Sequence, residues 1–223
     1  MRELDRSYSY VIFTFDDGPT PLMPRMASAF EAFDGRATFF VLGKRIDEGA
    51  AENMRLVCSR GYEIANHGQN HDFGDKSYDA IYKEISDGFC AIQNALPDGR
   101  VEFYRSPGNQ VNDNLLKVLE QEFSLRLINR TFSLRDWDSA GNDEAALLRL
   151  ADEQLAKGNF QDGAIINMHE VERTLNILPE LLEKLYGLGF RFCTLAEYLA
   201  IREIPLERLP TNEPIASLAK FRE

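Results

Sequence analysis

The stretch formed by residues 11–20 constrains the fold of this chain more than any other segment. It reads Val-Ile-Phe-Thr-Phe-Asp-Asp-Gly-Pro-Thr, so a run of apolar and β-branched residues leads directly into Asp16, Asp17 and a Gly-Pro break. A short apolar run that ends in a turn signal is typical of a buried strand. Two adjacent carboxylates at the end of such a strand repel each other and lose hydration, so they need a positive group beside them.

The three histidines of the chain are candidates for a site at that strand end. His67 and His71 are four residues apart, and His169 directly follows Ile-Ile-Asn-Met. A spacing of four places two imidazoles on one face if the segment turns helically. Two neutral imidazoles and one carboxylate, with positions open for water, are typical of a catalytic metal site. Each feature alone is also compatible with a helix cap, loop histidines or a core histidine, but their joint occurrence favours a site.

Strand-like runs alternate with amphipathic helical patterns from one end of the chain to the other. Such alternation predicts an α/β fold with a parallel sheet and helices outside it, and seven units predict a distorted (β/α)7 barrel. Strands are expected at 10–15, 37–42, 62–65, 101–104, 125–129, 164–168 and 190–194, and helices at 24–33, 48–60, 78–96, 113–121, 144–156 and 175–188. Asn142-Asp143 and Thr174 are candidate helix N-caps, and Gly158 is a candidate C-cap.

The candidate site residues share a position relative to these strands. The carboxyl ends of parallel strands share one face of a barrel, and that face carries the active site. The residues at or just past a strand end are Asp16, Asp17, His67, Arg105 and His169. Asp136 and Trp137 lie farther from their strand, on a longer loop.

The overall charge excludes some classes of partner. A formal net charge of −11 argues against nucleic acid and against electrostatic attachment to anionic membranes, whereas a neutral or cationic glycan is compatible with it. Cys58, Cys90 and Cys193 are odd in number and widely spaced, so they form no disulfide framework or Cys-rich metal motif. We expect each of them to be a buried small hydrophobe.

The termini leave the location of the protein open. No apolar run approaches the length of a membrane span, and the first nine residues are polar and charged, without a signal peptide. The protein is therefore expected to be cytoplasmic, or extracellular or at the cell surface if a leader was removed. We assign residues 1–200 to one catalytic domain and residues 201–223, which contain three prolines, to a C-terminal extension that wraps the surface or begins a linker. The sequence does not indicate an oligomeric state.

Five motifs follow one another in the order found in the polysaccharide deacetylases, carbohydrate esterase family four. The chain resembles this family through Thr-Phe-Asp-Asp-Gly-Pro-Thr at 14–20, His67 and His71, Arg-Ser-Pro at 105–107, Asp136-Trp137, and Met168-His169. The resemblance extends over about residues 10–195. The first motif is highly specific, and the others are informative because of their order. The family fold is a distorted (β/α)7 barrel, which agrees with the number of βα units.

The resemblance implies a role for each of these residues. Asp17, His67 and His71 would hold a divalent metal, with Zn²⁺ as the leading candidate and Co²⁺, Ni²⁺ or Mn²⁺ as alternatives. A metal of this kind lowers the pKa of bound water towards about 7. Asp16 would then take the proton of that water, and Arg105 would keep Asp16 ionised through a charge-assisted pair.

The remaining roles concern the leaving group and the substrate. His169 would be the general acid that protonates the departing nitrogen, and Asp136 would fix its tautomer. The backbone N–H of Gly108 would bind the oxyanion. Trp137, the single tryptophan, is expected along the substrate groove rather than in the core.

The sequence departs from the family pattern at several positions. Gly68 stands where the family usually has a Ser or Thr that braces the metal loop, and Gly108 stands where an aromatic residue is common. Arg130 and Ser133 fall near positions that often hold Trp and Asp. Asn167 replaces an apolar residue of the acetyl pocket and should face the site together with His169, since residues two apart on a strand share a face. A more polar acyl pocket follows from Asn167, unless Asn167 pairs with a neighbouring loop.

The predicted function is a metal-dependent deacetylase that hydrolyses N-acetyl groups of a glycan containing N-acetylglucosamine, either peptidoglycan or chitooligosaccharides. The alternatives are an acetylxylan O-deacetylase and a small-amide or cyclic-imide hydrolase of the same fold. A glycan-binding module without activity is a further alternative, which the complete set of Asp, His and Arg residues disfavours.

Overall fold

The computed structural model describes residues 4–74, 76–138, 143–211 and 213–221. Helices and strands alternate along the described chain. The strands are β1 (Ser9–Gly18), β2 (Thr38–Val41), β3 (Glu63–Asn66), β4 (Phe103–Tyr104), β5 (Arg126–Leu127), β6 (Phe132–Ser133), β7 (Ala164–His169) and β8 (Phe190–Phe192). The α-helices are α1 (Met23–Glu31), α2 (Glu48–Ser59), α3 (Tyr78–Ala95), α4 (Asp113–Val118), α5 (Glu144–Ala156), α6 (Glu172–Gly187) and α7 (Leu195–Ile201).

The strands form one parallel sheet with β1 at its centre. The order is β5-β4-β3-β2-β1-β7-β6, and β8 pairs with the beginning of β1. The register of β1 with β7 runs from Val11 opposite Ala164 to Asp16 opposite His169. The sheet curves into a half-barrel with helices outside it, so the predicted fold class is confirmed.

Alternation along β1 determines which side chains face the inside of the half-barrel. Val11 and Phe13 belong to the outer core beneath helices such as α1 and α6, whereas Ile12 belongs to the inner core, which α7 covers. Since successive side chains of a strand point to opposite faces, Thr14 and Asp16 continue the inner row towards the carboxyl end. The inner row therefore changes from apolar to polar as the strand approaches the site.

The inner row of β7 changes in the same way. Ile165 is part of the inner core. Asn167 and His169 lie two and four residues farther along, so they occupy the same face. Because β7 is in register with β1, His169 is placed beside Asp16. The predicted inward direction of Asn167 agrees with this register.

The segment after residue 200 is packed into the half-barrel, which corrects the expectation of a surface wrap. Ile215 is fully buried, its N–H donates to the carbonyl of Leu127 at 2.8 Å, and its carbonyl accepts from Asn129 at 2.8 Å. Farther on, the N–H of Leu218 donates to the carbonyl of Gly163 at 2.9 Å. The segment thus bridges the strand edges on the β5 and β7 sides, where the sheet is open.

Several local predictions need correction. β6, with two residues, and α7, with seven, were not predicted. α6 begins at Glu172, so Thr174 lies inside the helix and is not its N-cap. Asn142 lies outside the described residues, while Asp143 does cap α5 through its side chain.

The cysteines differ in their environment. All three are free, and Cys193 is buried as expected, but Cys90 is exposed and Cys58 is half-buried. Partial burial raises the pKa of the Cys58 thiol to about 11. Among the described residues, no helix combines the length and apolarity needed to cross a bilayer.

Candidate active site

Asp16, at the carboxyl end of β1, is held by two donors from different strands. Its Oδ1 accepts a hydrogen bond from Arg105 Nη1 at 2.7 Å, and its Oδ2 accepts one from Asn167 Nδ2 at 2.8 Å. Asp16 and Arg105 are both buried. Burial by itself would raise the pKa of Asp16, but the charge and hydrogen bond of Arg105, together with the charges of His67 and His169, outweigh it, and the pKa lies below its ordinary value. Asp16 is therefore an ionised carboxylate with a fixed orientation.

Arg105 is anchored on every side by the strands that surround it. Its guanidinium also donates to the Thr14 hydroxyl at 2.8 Å and to the carbonyl of Asn129 at 2.8 Å. Its plane lies over the ring of Phe40, 4.2 Å from the centroid. A guanidinium suits this position, because its planar fork of donors can satisfy a carboxylate and carbonyl groups together.

Asp17, His67 and His71 converge on one point next to Asp16. Asp17 Oδ1 lies 3.5 Å from His67 Nε2 and 3.4 Å from His71 Nε2. One ligand atom from each of the three residues lies within 4.8 Å of the others. Asp17 and His71 both have left-handed backbone, with φ of 65° and 61°. Left-handed backbone at non-glycine residues is uncommon and is often found at functional sites.

The chemistry of these three residues fits a divalent metal. His67 Nδ1 lies 2.8 Å from the carbonyl oxygen of Arg105, which can only accept, so Nδ1 carries the hydrogen and Nε2 keeps a free lone pair. Burial and the neighbouring His67 lower the pKa of His71 despite the opposing charge of Asp17, which favours its neutral, ligating form. Asp17 Oδ1 is buried and has no hydrogen-bond donor among the described residues. Two imidazoles and a carboxylate oxygen without a donor form a ligand set suited to Zn²⁺.

Asp136 and His169 form a second carboxylate–imidazole pair. Asp136 Oδ1 lies 2.8 Å from His169 Nδ1, and Oδ2 accepts the His169 backbone N–H at 2.7 Å and the hydroxyl of Thr174. Because the carboxylate oxygen accepts, His169 Nδ1 carries a hydrogen. Nε2 is then the ring nitrogen that can gain or lose a proton. Burial would lower the pKa of His169, but the hydrogen bond and charge of Asp136 raise it above its ordinary value.

A cleft of about 430 Å³ brings these groups together. Every predicted site residue except the buried Arg105 and Asp136 lines it, namely Asp16, Asp17, His67, His71, Gly108, Trp137, Asn167 and His169. Trp137 is 57% exposed, so it is not a core residue. Arg130, Ser133 and Arg135 line the same cleft without having been predicted as site residues.

Comparison with known proteins identifies the family. A profile described as polysaccharide deacetylase matches residues 4–122, more than half of the chain. The chain belongs to the polysaccharide deacetylase family. The match includes Asp16, Asp17, His67, His71 and Arg105, and it ends before Asp136 and His169.

Relatives in this family differ in length and in the substrate that their names give. The chain is 26% identical to a peptidoglycan-N-acetylglucosamine deacetylase of Bacillus cereus, and the match covers 88% of this chain and 91% of that protein. It is 24% identical to a bifunctional xylanase/deacetylase of Pseudobutyrivibrio xylanivorans, where the match covers 87% of this chain but only 31% of that protein.

Solved structures share the fold. A family 4 acetyl xylan esterase from Clostridium thermocellum, in complex with a cobalt ion, matches with a TM-score of 0.81 at 24% identity, covering 94% of this chain and 99% of that one. The Xyl-CE4 domain of a multidomain xylanase from a Trinervitermes trinervoides hindgut metagenome matches with a TM-score of 0.81 at 23% identity, covering 95% and 98%. These structures show the fold, whereas the family match and the deacetylase relatives show that the chain is a hydrolase of a family whose members act on amide or ester bonds.

The loop that carries His67 and His71 is braced by residues that sequence reasoning missed. Asn66 Oδ1 accepts the Gly68 N–H at 2.7 Å, and Glu84 of α3 accepts the Asn70 N–H at 2.5 Å. Gly68 has a φ of 90°, and a Cβ there would lie 2.9 Å from Glu84 Oε1. These contacts replace the hydroxyl brace that is usual in the family. In the sequence, the glycine at position 68 indicated that this loop needs a different brace. No residue near Glu84 in the sequence indicated that Glu84 supplies it.

The turn that follows Asp17 is braced by Glu170. Its Oε2 accepts both the N–H and the hydroxyl of Thr20, each at 2.8 Å. A Cβ at Gly18 would lie 1.7 Å from Glu170 Oε1, so only glycine fits there. Burial raises the pKa of Glu170 to about 8.

A larger cleft, of about 610 Å³, lies at the amino-terminal ends of β2 and β3, away from the site. Its polar groups include Glu63, which accepts from the hydroxyl of Thr38 at 2.6 Å and from the N–H of Leu195 at 3.1 Å. The carboxylate is thus engaged in structural contacts. The smaller cleft is the candidate active site because of its chemistry.

Proposed function

We propose that this protein is a metal-dependent deacetylase that hydrolyses N-acetyl groups of a glycan containing N-acetylglucosamine, such as peptidoglycan or chitooligosaccharides. One observation carries the proposal. A ligand set of Asp17, His67 and His71 opens onto the same cleft as a fixed carboxylate, Asp16, and a carboxylate-oriented imidazole, His169. Amide hydrolysis needs a base for the attacking water and an acid for the departing nitrogen, and these two groups can supply them.

Asp17, His67 and His71 would hold the metal, with Zn²⁺ as the leading candidate and Co²⁺, Ni²⁺ or Mn²⁺ as alternatives. A divalent ion bound there would supply an acidified water and a Lewis acid for the carbonyl oxygen. The Arg105 carbonyl holds His67 in the tautomer whose Nε2 lone pair is available to a metal ion. His67 is thereby oriented before a metal ion binds.

Asp16 is the general base in this proposal. Its Oδ2 lies 3.9 Å from His67 Nε2, next to the position where the attacking water would stand. The proton of that water moves to a carboxylate oxygen of Asp16. The Arg105 guanidinium keeps Asp16 ionised and aligned before the reaction, so little reorganisation is needed when the proton moves.

His169 is the general acid. With Nδ1 bonded to Asp136, a protonated His169 carries its transferable hydrogen on Nε2. That proton moves to the amide nitrogen as the bond between carbon and nitrogen breaks, so the amine leaves as a neutral group. Asp136 stabilises the imidazolium and keeps its orientation. The Gly108 N–H is the proposed donor to the oxyanion.

Asn167 contributes a polar side chain to the acyl pocket. Its side chain is buried, lines the cleft and donates to Asp16, so its amide serves as a positioning group for the base. Comparing N-formyl and N-acetyl substrates before and after Asn167→Leu tests this role. We expect the variant to lower kcat and to shift preference towards the acetyl group, whereas an unchanged preference would contradict a polar acyl pocket.

A second candidate function is the removal of O-acetyl groups from xylan. Similarity to the xylanase/deacetylase of Pseudobutyrivibrio xylanivorans favours it. The same residues serve both reactions, but an alkoxide leaves more readily than an amine nitrogen that has not been protonated, so ester cleavage depends less on His169.

Acetate release from three substrate classes tests the proposal. Acetylated chitooligomers, peptidoglycan and acetylxylan would each be incubated with the zinc-loaded protein, with the chelator-treated protein, and with Asp16→Asn. We expect release from an N-acetylated substrate that is lost with both controls and restored by adding Zn²⁺ to the chelated protein. Release from acetylxylan alone would favour the esterase, and release that survives Asp16→Asn would contradict the mechanism.

A further inference from the structure

Two arginines line the active-site cleft on the β5 and β6 side. Arg130 follows β5 and is half-buried, while Arg135 lies beyond β6 and is exposed. Arg135 has an ion pair, since its Nη2 lies 3.1 Å from Asp138 Oδ2. This basic wall is unexpected in a chain with a formal net charge of −11.

Arg130 differs from Arg135 in having no counter-ion. Only its backbone N–H makes a hydrogen bond, to Asn129 Oδ1 at 2.9 Å, and its guanidinium has no acidic partner among the residues that the structure describes. The buried Arg105 is neutralised by Asp16, so that carboxylate already has its cation and does not serve Arg130.

A half-buried cation without a counter-ion is unfavourable unless an anion approaches it. A neutral sugar hydroxyl or amide carbonyl would satisfy some of the guanidinium donors, but it would leave the charge uncompensated. A carboxylate satisfies both the charge and the planar fork of donors. The cleft also holds Trp137, whose exposed ring can support a sugar ring next to that group.

We propose that the cleft binds a glycan that carries a carboxylate next to the acylated sugar, and that Arg130 recognises this carboxylate. This inference rests on the proposed function and adds the charge of the substrate to it. Two glycan chemistries present such a group: a lactyl ether on a neighbouring amino sugar, and a uronic acid on a neighbouring unit or branch. The group recognised is the same in both.

Matched substrate pairs test the proposal. Each pair contains an acylated oligosaccharide with a free carboxylate and the same compound with the carboxyl group reduced to an alcohol, one pair with a lactyl ether and one with a uronic acid. We expect the metal-loaded enzyme to favour the free carboxylate by about tenfold in kcat/KM in at least one pair, mainly through KM. The pair that shows the preference identifies the source of the carboxylate.

Variants assign the preference to Arg130. In Arg130→Gln the ratio between the two members of the pair should fall towards one, and Arg130→Lys should keep part of it. Arg100→Gln is the control, since Arg100 is exposed, pairs with Glu102 at 2.9 Å and lies by the opposite cleft. Equal rates for both members of both pairs in the native enzyme, or a preference that survives Arg130→Gln, would overturn the proposal.

A binding measurement separates this inference from the proposed function. Calorimetry with Asp16→Asn and the carboxylated and reduced oligosaccharides needs no turnover. We expect about tenfold tighter binding of the carboxylated member, lost when Arg130→Gln is added. Absence of acyl release together with this binding difference would refute the deacetylase and keep the anion site, whereas equal binding of the two members would refute the anion site.

Discussion

Asp17 and His71 have side chains that are 33% and 42% exposed, whereas Asp16 and Asp136 are almost completely enclosed. We call Asp17, His67 and His71 the ligand group, and Asp16, Arg105, Asp136 and His169 the proton-transfer group. In the proton-transfer group each carboxylate oxygen accepts at least one hydrogen bond. In the ligand group, Asp17 Oδ1 has no donor among the described residues.

The difference agrees with the roles proposed for the two groups. An acid or a base must be held at a fixed distance and in a fixed protonation state, which burial and hydrogen bonds provide. A metal ligand must keep a lone pair that no protein donor occupies, as Asp17 Oδ1 and His67 Nε2 do, although the His67 side chain is only 2% exposed. The two groups meet at Arg105, whose side chain holds Asp16 and whose carbonyl holds His67.

The two adjacent carboxylates, Asp16 and Asp17, are expected to differ when each is replaced separately. We expect Asp16→Asn and Asp17→Asn each to lower kcat by roughly 10³-fold or more. Only Asp17→Asn should also lose divalent metal, because Asp16 is already occupied by Arg105 and Asn167. Kinetics combined with metal content by mass spectrometry checks this. Loss of metal in Asp16→Asn, with metal retained in Asp17→Asn, would reverse the two assignments.

Arg105 should matter for stability as well as for activity. Replacing it by Met leaves Asp16 as a buried carboxylate without its cation, which should reduce the free energy of unfolding by about 3–5 kcal/mol in urea denaturation. Adding Asp16→Asn should recover part of the loss, since the uncompensated charge is removed. Arg100→Met is the surface control. A loss no larger than that of the control would mean that Arg105 does not neutralise Asp16.

Asp136 sets the pH range in which His169 is protonated. His169 must carry a proton to act as an acid, so kcat should fall as pH rises through its pKa, which lies above the ordinary value. Asp136→Asn removes the negative charge, so the pKa drops and the alkaline fall in kcat begins at lower pH, with kcat about 10²-fold lower. A pH–rate profile checks this, with Asp152→Asn on the surface as control. An unshifted alkaline limb would exclude His169 as the acid.

The smallest predicted effect concerns the partner of Asp136 on α6. Thr174→Val removes one donor from Asp136 Oδ2 but leaves the His169 N–H bound there. We expect a loss of about 1 kcal/mol in the free energy of unfolding, with the alkaline pKa of kcat nearly unchanged. A pH shift as large as that of Asp136→Asn would show that Thr174, and not the carboxylate charge, governs His169.

Many of the predicted site residues lie at strand ends, whereas Asp136 and Trp137 were predicted on a longer loop through the resemblance. The apolar runs that end at Asp16, His67, Arg105 and His169 predict a strand in each case. Alternation along the strand then predicts the direction of its last side chain. The braces could not be found this way. Glu84 reaches the metal loop from the middle of a helix, 14 residues from the Asn70 N–H that it accepts. Thr174 was mistaken for a cap because a local capping signal and a long-range hydrogen bond use the same hydroxyl.

The same contrast applies to the fold. The long central strands and amphipathic helices have a clear period, so their order and the parallel sheet were predictable. β6 and α7 were not predicted, whereas β4, β5 and α4, which are as short, were predicted because they lie within longer apolar or amphipathic runs of the sequence. The burial of Ile215 depends on an open sheet edge, which no local pattern in the chain's last residues reveals.

Titration of the metal-free protein with Co²⁺, followed by visible absorption, measures whether Asp17, His67 and His71 bind one metal ion together. We predict one ion per chain in a site with the spectrum of nitrogen and oxygen ligation. His71→Gln and Asp17→Asn should each weaken binding by more than the roughly 10–100-fold expected for loss of an outer partner. Absence of binding by the native protein, or binding unaffected by both substitutions, would contradict the convergence of Asp17, His67 and His71 on one metal.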